Sequence, residues 1–431
     1  GNSLRVHFDF AITNTSGSAV TGTEVGVSSV NGLHSCFQQI DISSYKSNLT
    51  LESIRNYPKC VATLYNCGFV DDVELTSRGT NEGLSQSQQN NNHNVGLDPD
   101  GETHKNKSYT LPLYTGLLQS QPVFLGQQGL MGLKINLNLA PTNNVLQRFS
   151  GSASYTYTLS NVRLIGMYYN PTQDEFVAGR IKSSFISKYE GMMKAQGRNP
   201  TSDEMETAWS DVQDMSQGKA QPPYEYYSIS GYVDALNSSN SSHSLNLGLS
   251  RVRSVFMNFM PSSYINNIAQ DSQVPRNIVD DNGKLTPVIN FKTSRAGVLF
   301  PNRFDLTSNA EHNMTPDLHT NDRRSPMYQC LVNAVKPFYE NHYQTGSFKN
   351  AISSVDQFFG VVSDDKMVAK TIGLGVNFSN ISNVGVDFSF APLQFEIQTH
   401  NTQAPVNHTI FLFCINRNTL VFEGNNVRVL N

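Results

Sequence analysis

The chain has 431 residues, enough to bury large cores, and two domains is its natural division. Net charge is -4 and only 15% of residues are charged, well below the usual quarter, so nothing marks the whole chain as a nucleic-acid binder. Hydrophobic content is 38%, while 24 Phe and 18 Tyr carry the aromatic share to 10%, which leaves a surface built mainly from Asn, Ser, Thr and Gln. That balance suits a shell, lectin or adhesin better than a cytosolic metabolic enzyme.

In chain order, the first periodic segment has Leu4, Val6, Phe8 and Phe10 alternating with Arg5, His7 and Asp9. A period of two predicts a strand with one buried face. Residues 71–107 read as a long loop, with SQSQQNNNHN at 85–94 and DPDGE at 98–102. Leu133, Ile135, Leu137 and Leu139 form the next alternation, and Tyr155–Tyr157–Leu159 another strand. The pattern then changes. From 174 to 193, Phe176, Val177, Ile181, Phe185, Tyr189, Met192 and Met193 recur at helical spacing. Thr201 with Glu204 predicts a capping box, followed by a face of Met205, Ala208, Trp209, Val212 and Met215. Trp209, the chain's lone tryptophan, reads as an anchor packing this linker onto a sheet. A second long polar region covers 261–326. Beyond it, Val384, Val386, Phe388 and Phe390 alternate, then Leu393, Phe395 and Ile397. The run 410–415 is nearly all apolar and predicts a central strand covered on both faces.

A search for chemistry finds little. There is no H-E-x-x-H, C-x-x-C, P-loop or G-x-S-x-G motif. Asp98, Asp100 and Glu102 lack the spacing of an EF-hand and read as a solvated turn. Asp280–Asp281–Asn282–Gly283 reads as a hairpin turn. His312, Asp317 and His319 share a stretch that reads as surface loop rather than a metal site. Arg251, Arg253 and Arg323–Arg324 suit subunit-interface ion pairs as well as nucleic-acid contact. Cys36, Cys60, Cys67, Cys330 and Cys414 are odd in number and lack metal-type pairing, which argues against a disulfide scaffold. Cys36, Cys60 and Cys414 sit in apolar segments and are expected as buried free thiols. Nine N-x-S/T patterns, at Asn14, Asn48, Asn106, Asn237, Asn240, Asn313, Asn377, Asn380 and Asn407, are what a chain this rich in Asn, Ser and Thr produces by chance. No secretory leader opens the sequence and no apolar run reaches transmembrane length; the Gly1–Asn2–Ser3 start suggests that a few residues, at least an initiator methionine, are missing. No catalytic, cofactor-binding or metal-ligating residue is assigned.

Several longer segments carry a family resemblance. VNGLHSCFQQIDI (30–42) resembles the entry into a core strand in double jelly-roll major capsid proteins. SYTLPLYTGLLQSQPVFLGQQGLMGLKINLNLAP (108–141) is similar to the L-P-L-x-x-G-L segment and alternating strand that follow it. SASYTYTLSNVRLIGMYY (152–169) resembles the closing strands of a first jelly roll. GVDFSFAPLQFEIQTHN (385–401) and HTIFLFCINRNTLVF (408–422) resemble those of a second. Order and spacing are similar to the capsid proteins of polinton-like viruses, adintoviruses and virophages.

The resemblance implies an all-β-dominated fold of two antiparallel eight-stranded jelly-roll sandwiches side by side, joined by a helical linker and carrying long polar loops. It divides the chain into an N-terminal jelly roll at 1–172, a linker at 173–220 and a C-terminal jelly roll at 221–431. It implies a non-enzymatic major capsid protein without cofactors, a homotrimer tiling the icosahedral shell of a DNA virus. Expected partners are neighbouring capsomers, penton and minor or cement proteins, with a host receptor reached through outer loops and no sequence-specific nucleic-acid binding. The expected location is the virion, after assembly inside the host cell. Loops 71–107 and 261–326 would lie at the outer ends of the lobes. The alternatives are a secreted or surface β-sandwich lectin or adhesin, a single-jelly-roll spike or vertex protein, and a glycan-processing enzyme. The last needs a pair of carboxylates, for which Glu225, Asp234 and Glu396 are the candidates.

Overall fold

In a computed structural model of the protein, the described residues are 4–17, 20, 24–28, 31–68, 82, 107–119, 132–166, 189, 193, 197–205, 224–238, 240–273, 287–292, 331–338, 361–363, 366–368, 373–378, 385–390, 392–399, 407–423 and 426–430. The first lobe holds β1 (Arg5–Asn14), β2 (Val25–Val27), β3 (Phe37–Ser44), β4 (Thr50–Arg55), β5 (Lys107–Pro112), β6 (Leu133–Leu139), β7 (Leu146–Arg148) and β8 (Tyr155–Ile165). Their antiparallel pairing is nested: β1 with β8, β2 with β7, β3 with β6. A long two-stranded ribbon folded over on itself gives this order, and it is how a jelly roll is wound.

The second lobe repeats the scheme. It holds β9 (Tyr224–Leu236), β10 (Asn240–Leu245), β11 (Val252–Pro261), β12 (Pro287–Lys292), β13 (Val361–Ser363), β14 (Lys366–Val368), β15 (Gly373–Asn377), β16 (Leu393–Thr399), β17 (His408–Glu423) and β18 (Asn426–Leu430). Here β9 pairs with β17, β10 with β16, β11 with β15 and β13 with β14.

The lobes are not separate sandwiches. One sheet runs through both in the order β15-β11-β17-β9-β4-β3-β6, with β18 added on β17. Among the described residues its one parallel contact is β4 beside β9, with Ser53 opposite Ser230, and that is where the lobes meet. The sheet β5-β1-β8 belongs to the first lobe and packs on the continuous sheet, with Phe8 edge-on to Phe37 at 5.9 Å. The sheet β10-β16-β12 belongs to the second, and its Leu393 and Phe395 join the same apolar core as Phe256 and Phe259 of β11. A helix over 331–338 buries Leu331, Val332, Ala334, Val335 and Phe338 in that core.

Most strand expectations hold. Val6, Phe8, Phe10 and Ile12 of β1 are buried, as are all six residues of 410–415 in β17, which lies between β11 and β9. Burying an apolar side chain of this size stabilises by about 1.5–3 kcal/mol. Cys36, Cys60 and Cys414 are buried free thiols, and burial raises all three above their ordinary value. Thr201 and Glu204 form the expected capping box: the Thr201 N–H donates to the Glu204 carboxylate at 3.0 Å and the Glu204 N–H to Thr201 Oγ1 at 3.3 Å.

Two expectations change. The alternation at 133–139 is present, but its apolar residues are only half-buried and Leu139 is exposed, because β6 is the edge of the long sheet. The alternation at 384–390 makes no full strand in its described part. Val386 forms one bridge to Val252, Phe388 is buried, and Phe390 stands 90% exposed. Gly385 has φ +108 against the Arg251 carbonyl, and Asp387 Oδ1 accepts the Ser389 N–H at 2.8 Å, so the backbone turns away from the sheet on both sides.

Most of the loops 71–107 and 261–326 lie outside the described residues, as do Trp209, His312, Asp317, His319, Arg323, Arg324, Asp98, Asp100, Glu102, Asp280–Gly283, Cys330 and most of the linker 173–220.

Candidate functional site

The chemistry of the described residues concentrates where the lobes join. Glu52, on β4, is 3% exposed. Its Oε1 accepts the backbone N–H groups of Gly116 at 2.9 Å and Ile229 at 2.8 Å, and its Oε2 accepts that of Leu117 at 2.9 Å. Gly116 and Leu117 begin a short helix, Gly116–Gln119, in the first lobe, whereas Ile229 belongs to β9 in the second. One carboxylate thus ties three segments together. Burial pushes it up to about 7, against three N–H bonds that pull it down.

The segments meet at backbone distance. A Cβ added at Gly116 would lie 2.1 Å from the Tyr227 carbonyl oxygen, and one at Gly231 would lie 2.3 Å from that of Arg55. Both positions therefore require glycine. Tyr226 Oη donates to the Leu51 carbonyl at 2.8 Å across the same seam.

The helix α1 (Tyr57–Gly68) forms a second link. Asn258 of β11 donates through Nδ2 to the Lys59 carbonyl at 3.0 Å and to Thr63 Oγ1 at 2.8 Å. Lys59 points into the seam at 6% exposure. Its Nζ donates to the Met260 thioether at 3.2 Å and lies 5.2 Å from the Phe411 ring centroid. Burial pushes its ammonium down to about 7, with Asp271 opposing.

The third link is residues 262–273, which leave β11 and reach back to the first lobe. The Asn266 N–H donates to Asn144 Oδ1 at 2.7 Å, while Ser272 Oγ and Gln273 Nε2 donate to the Asn144 carbonyl at 3.1 and 2.6 Å. The Arg148 N–H donates to the Ile268 carbonyl at 2.6 Å. Between these links lies a cleft of about 180 Å³, whose lining includes Pro58, Lys59, Asn144, Val233, Gln273 and Phe411.

Two histidine clusters lie elsewhere. His34 is fully buried, with Nε2 3.0 Å from Glu82 Oε2 and Nδ1 3.2 Å from Tyr57 Oη, which accepts the Tyr114 N–H at 3.0 Å. Glu82 belongs to the loop 71–107 expected at the lobe's outer end. At this residue the side chain is fully buried against His34, because a buried carboxylate requires a partner. Burial raises its carboxyl above the ordinary value, against the His34 hydrogen bond. In the second cluster His243 Nδ1 lies 2.7 Å from Asp234 Oδ2 and Nε2 2.8 Å from Ser241 Oγ, with the imidazole stacked on Phe395 at 4.8 Å. The groups follow the order of a serine-hydrolase triad. All three belong to the β9–β10 hairpin, and their bonds close it over β16.

The carboxylates considered for glycan hydrolysis do not converge. Glu225 and Asp234 are nine positions apart on β9, about 30 Å along an extended strand, whereas such enzymes need about 5–9.5 Å. Glu225 pairs with Arg417, and Asp234 holds His243. The Glu396 side chain lies outside the described residues. Arg251 donates to Thr419 Oγ1 of its own chain at 3.0 Å. Among the described residues, no group of three His, Cys, Asp or Glu is placed to hold a metal ion, and no helix is long and apolar enough to cross a membrane.

Sequence reasoning missed Glu52, Lys59 and Glu82. The one available signal was Lys59 itself, a lone charge in the otherwise apolar helix start Tyr57–Pro58–Lys59–Cys60–Val61.

No protein-family model matches the chain, and no curated protein matches it. Among solved structures, a chain of the Sputnik virophage aligns at 13% identity and TM-score 0.44, covering 100% of this chain and 82% of that one. The mavirus major capsid protein aligns at 12% and 0.43, covering 100% and 84%. A chain of the PBCV-1 virus capsid aligns at 12% and 0.44, covering 100% and 90%. From its own strand pairing, nested once in each lobe around one shared sheet, the chain is a double jelly roll.

Proposed function

We propose that this chain is a major capsid protein, a structural rather than catalytic molecule. Three copies form a pseudo-hexagonal capsomer, and capsomers tile the icosahedral shell of a DNA virus. The observation that carries the reading is the continuous sheet. Two jelly rolls fused through β4 and β9, and locked there by Glu52, make one stiff two-lobed unit. Three such units present six similar lobes around a threefold axis, the arrangement that lets a trimer fill a hexagonal position. Low charge suits lateral packing without strong self-repulsion. Neighbouring capsomers, penton and cement proteins are the partners this role requires, the outer loops are the surface available to a host receptor, and the virion shell is its location. The domain division at 172 and 220 belongs to the same proposal.

Light scattering coupled to size exclusion, with negative-stain images of the peak, tests it. The expected particle has three times the chain mass of 47.8 kDa and a six-sided outline. A monomer that persists at high concentration overturns the reading in favour of a glycan-binding β-sandwich module.

A further inference from the structure

We propose that the cleft between the lobes is a binding site for a small oxyanion that retains a hydroxyl, of the hydrogen-phosphate type, held between Lys59 of the first lobe and Gln273 of the second. Both residues line the cleft and both are more than nine-tenths buried. Each lacks a bond its chemistry demands. The Lys59 ammonium has three donors, and its single hydrogen-bond acceptor among the described residues is the Met260 sulfur, a weak one. Gln273 uses Nε2 on Asn144, but its Oε1 has no hydrogen-bond partner among the described residues. A buried ammonium that hydrogen-bonds only to a sulfur among the described residues, with Asp271 acting on it through its charge alone, and a buried carbonyl without a donor are each under-satisfied.

One ligand chemistry answers both. An oxygen with negative charge satisfies Nζ, and a hydroxyl on the same group donates to Oε1. A volume of about 180 Å³ is far more than one water needs and accommodates a tetrahedral anion with some of its hydration. Val233, 49% exposed, and Phe411 put apolar surface beside the polar pair, and Val233 marks the route from solvent. Because the two contacts come from different lobes, an occupant stiffens the seam that Glu52 and residues 262–273 already hold. The inference is independent of the capsid reading, since a monomer contains the whole site.

Thermal unfolding of the full chain at pH 6.5, titrated with inorganic phosphate and in parallel with sulfate at matched ionic strength, tests it. Phosphate should raise Tm in proportion to the logarithm of its concentration once above its Kd. Sulfate, which offers no hydroxyl at this pH, should give less than half that rise. Lys59→Met should fold, since it replaces a buried amine by an apolar chain of similar length, and should lose the phosphate response. Phosphorus NMR of the wild-type protein, with sulfate as competitor, provides a readout that does not depend on the variant. Equal rises with both anions, no slow or broadened phosphorus signal, or a phosphate response retained in Lys59→Met each overturn the proposal.

Discussion

Replacing Glu52 with glutamine separates two opposing influences at the lobe junction. Glutamine keeps the shape, and its Oε1 can retain the N–H groups of Gly116 and Ile229. Its Nε2 then faces the Leu117 N–H, donor against donor. At low pH the wild-type carboxyl is protonated and already holds one buried O–H donor, so the net cost of Glu52→Gln is the unpaired Leu117 N–H, about 1–3 kcal/mol. The wild-type carboxyl adds a pH-dependent part. Its folded value is about 7 against an ordinary 4.5. A carboxyl raised on folding contributes stability that is fully present below 4.5 and is lost as pH rises through 7. That loss is worth about 3 kcal/mol, undiscounted for solvent because the group is buried. Urea denaturation of both proteins from pH 4 to 8 measures it, and their difference cancels every other titrating group. The wild-type advantage should shrink by about 3 kcal/mol between pH 4.5 and 7. An advantage that grows with pH refutes the reasoning, because the three N–H bonds would then outweigh burial.

Other positions give direct tests. Gly116→Ala places a methyl carbon 2.1 Å from the Tyr227 carbonyl oxygen and should destabilise by about 3 kcal/mol in the same assay, since both sides of the clash are backbone. Phe388→Asp, which buries a carboxylate beside Phe378, should leave no soluble folded protein by circular dichroism. Deleting 85–94 while keeping Glu82 should leave the chain folded with Tm nearly unchanged. Glu82→Ala, which strips His34 of its carboxylate, should cost about 1–3 kcal/mol.

Local pattern alone determined the strands β1, β8, β16 and β17, the Thr201–Glu204 cap and the burial of Cys36, Cys60 and Cys414, because each depends on residues a few positions apart. A period of two aims alternate side chains at one face wherever the strand later sits. The order of the apolar segments and their family resemblance made two jelly rolls legible as well. The same pattern could not tell an edge from a centre, so β6 was read correctly as a strand while its exposure was not foreseen. Nor could it see that Gly385 takes a positive φ close to the Arg251 carbonyl, where no side chain fits, and that the alternation at 384–390 gives no full strand in its described part. The candidate site was illegible for a sharper reason. Glu52 finds its donors 64, 65 and 177 residues away, and Lys59 meets Met260 across 201. In the sequence Glu52 is one carboxylate in a strand and Lys59 one amine in a helix, and each would ordinarily be solvated. Only the parallel seating of β4 against β9, possible because Gly116 and Gly231 admit close backbone contact, removes water from both, and that loss of water is what turns ordinary charges into a junction.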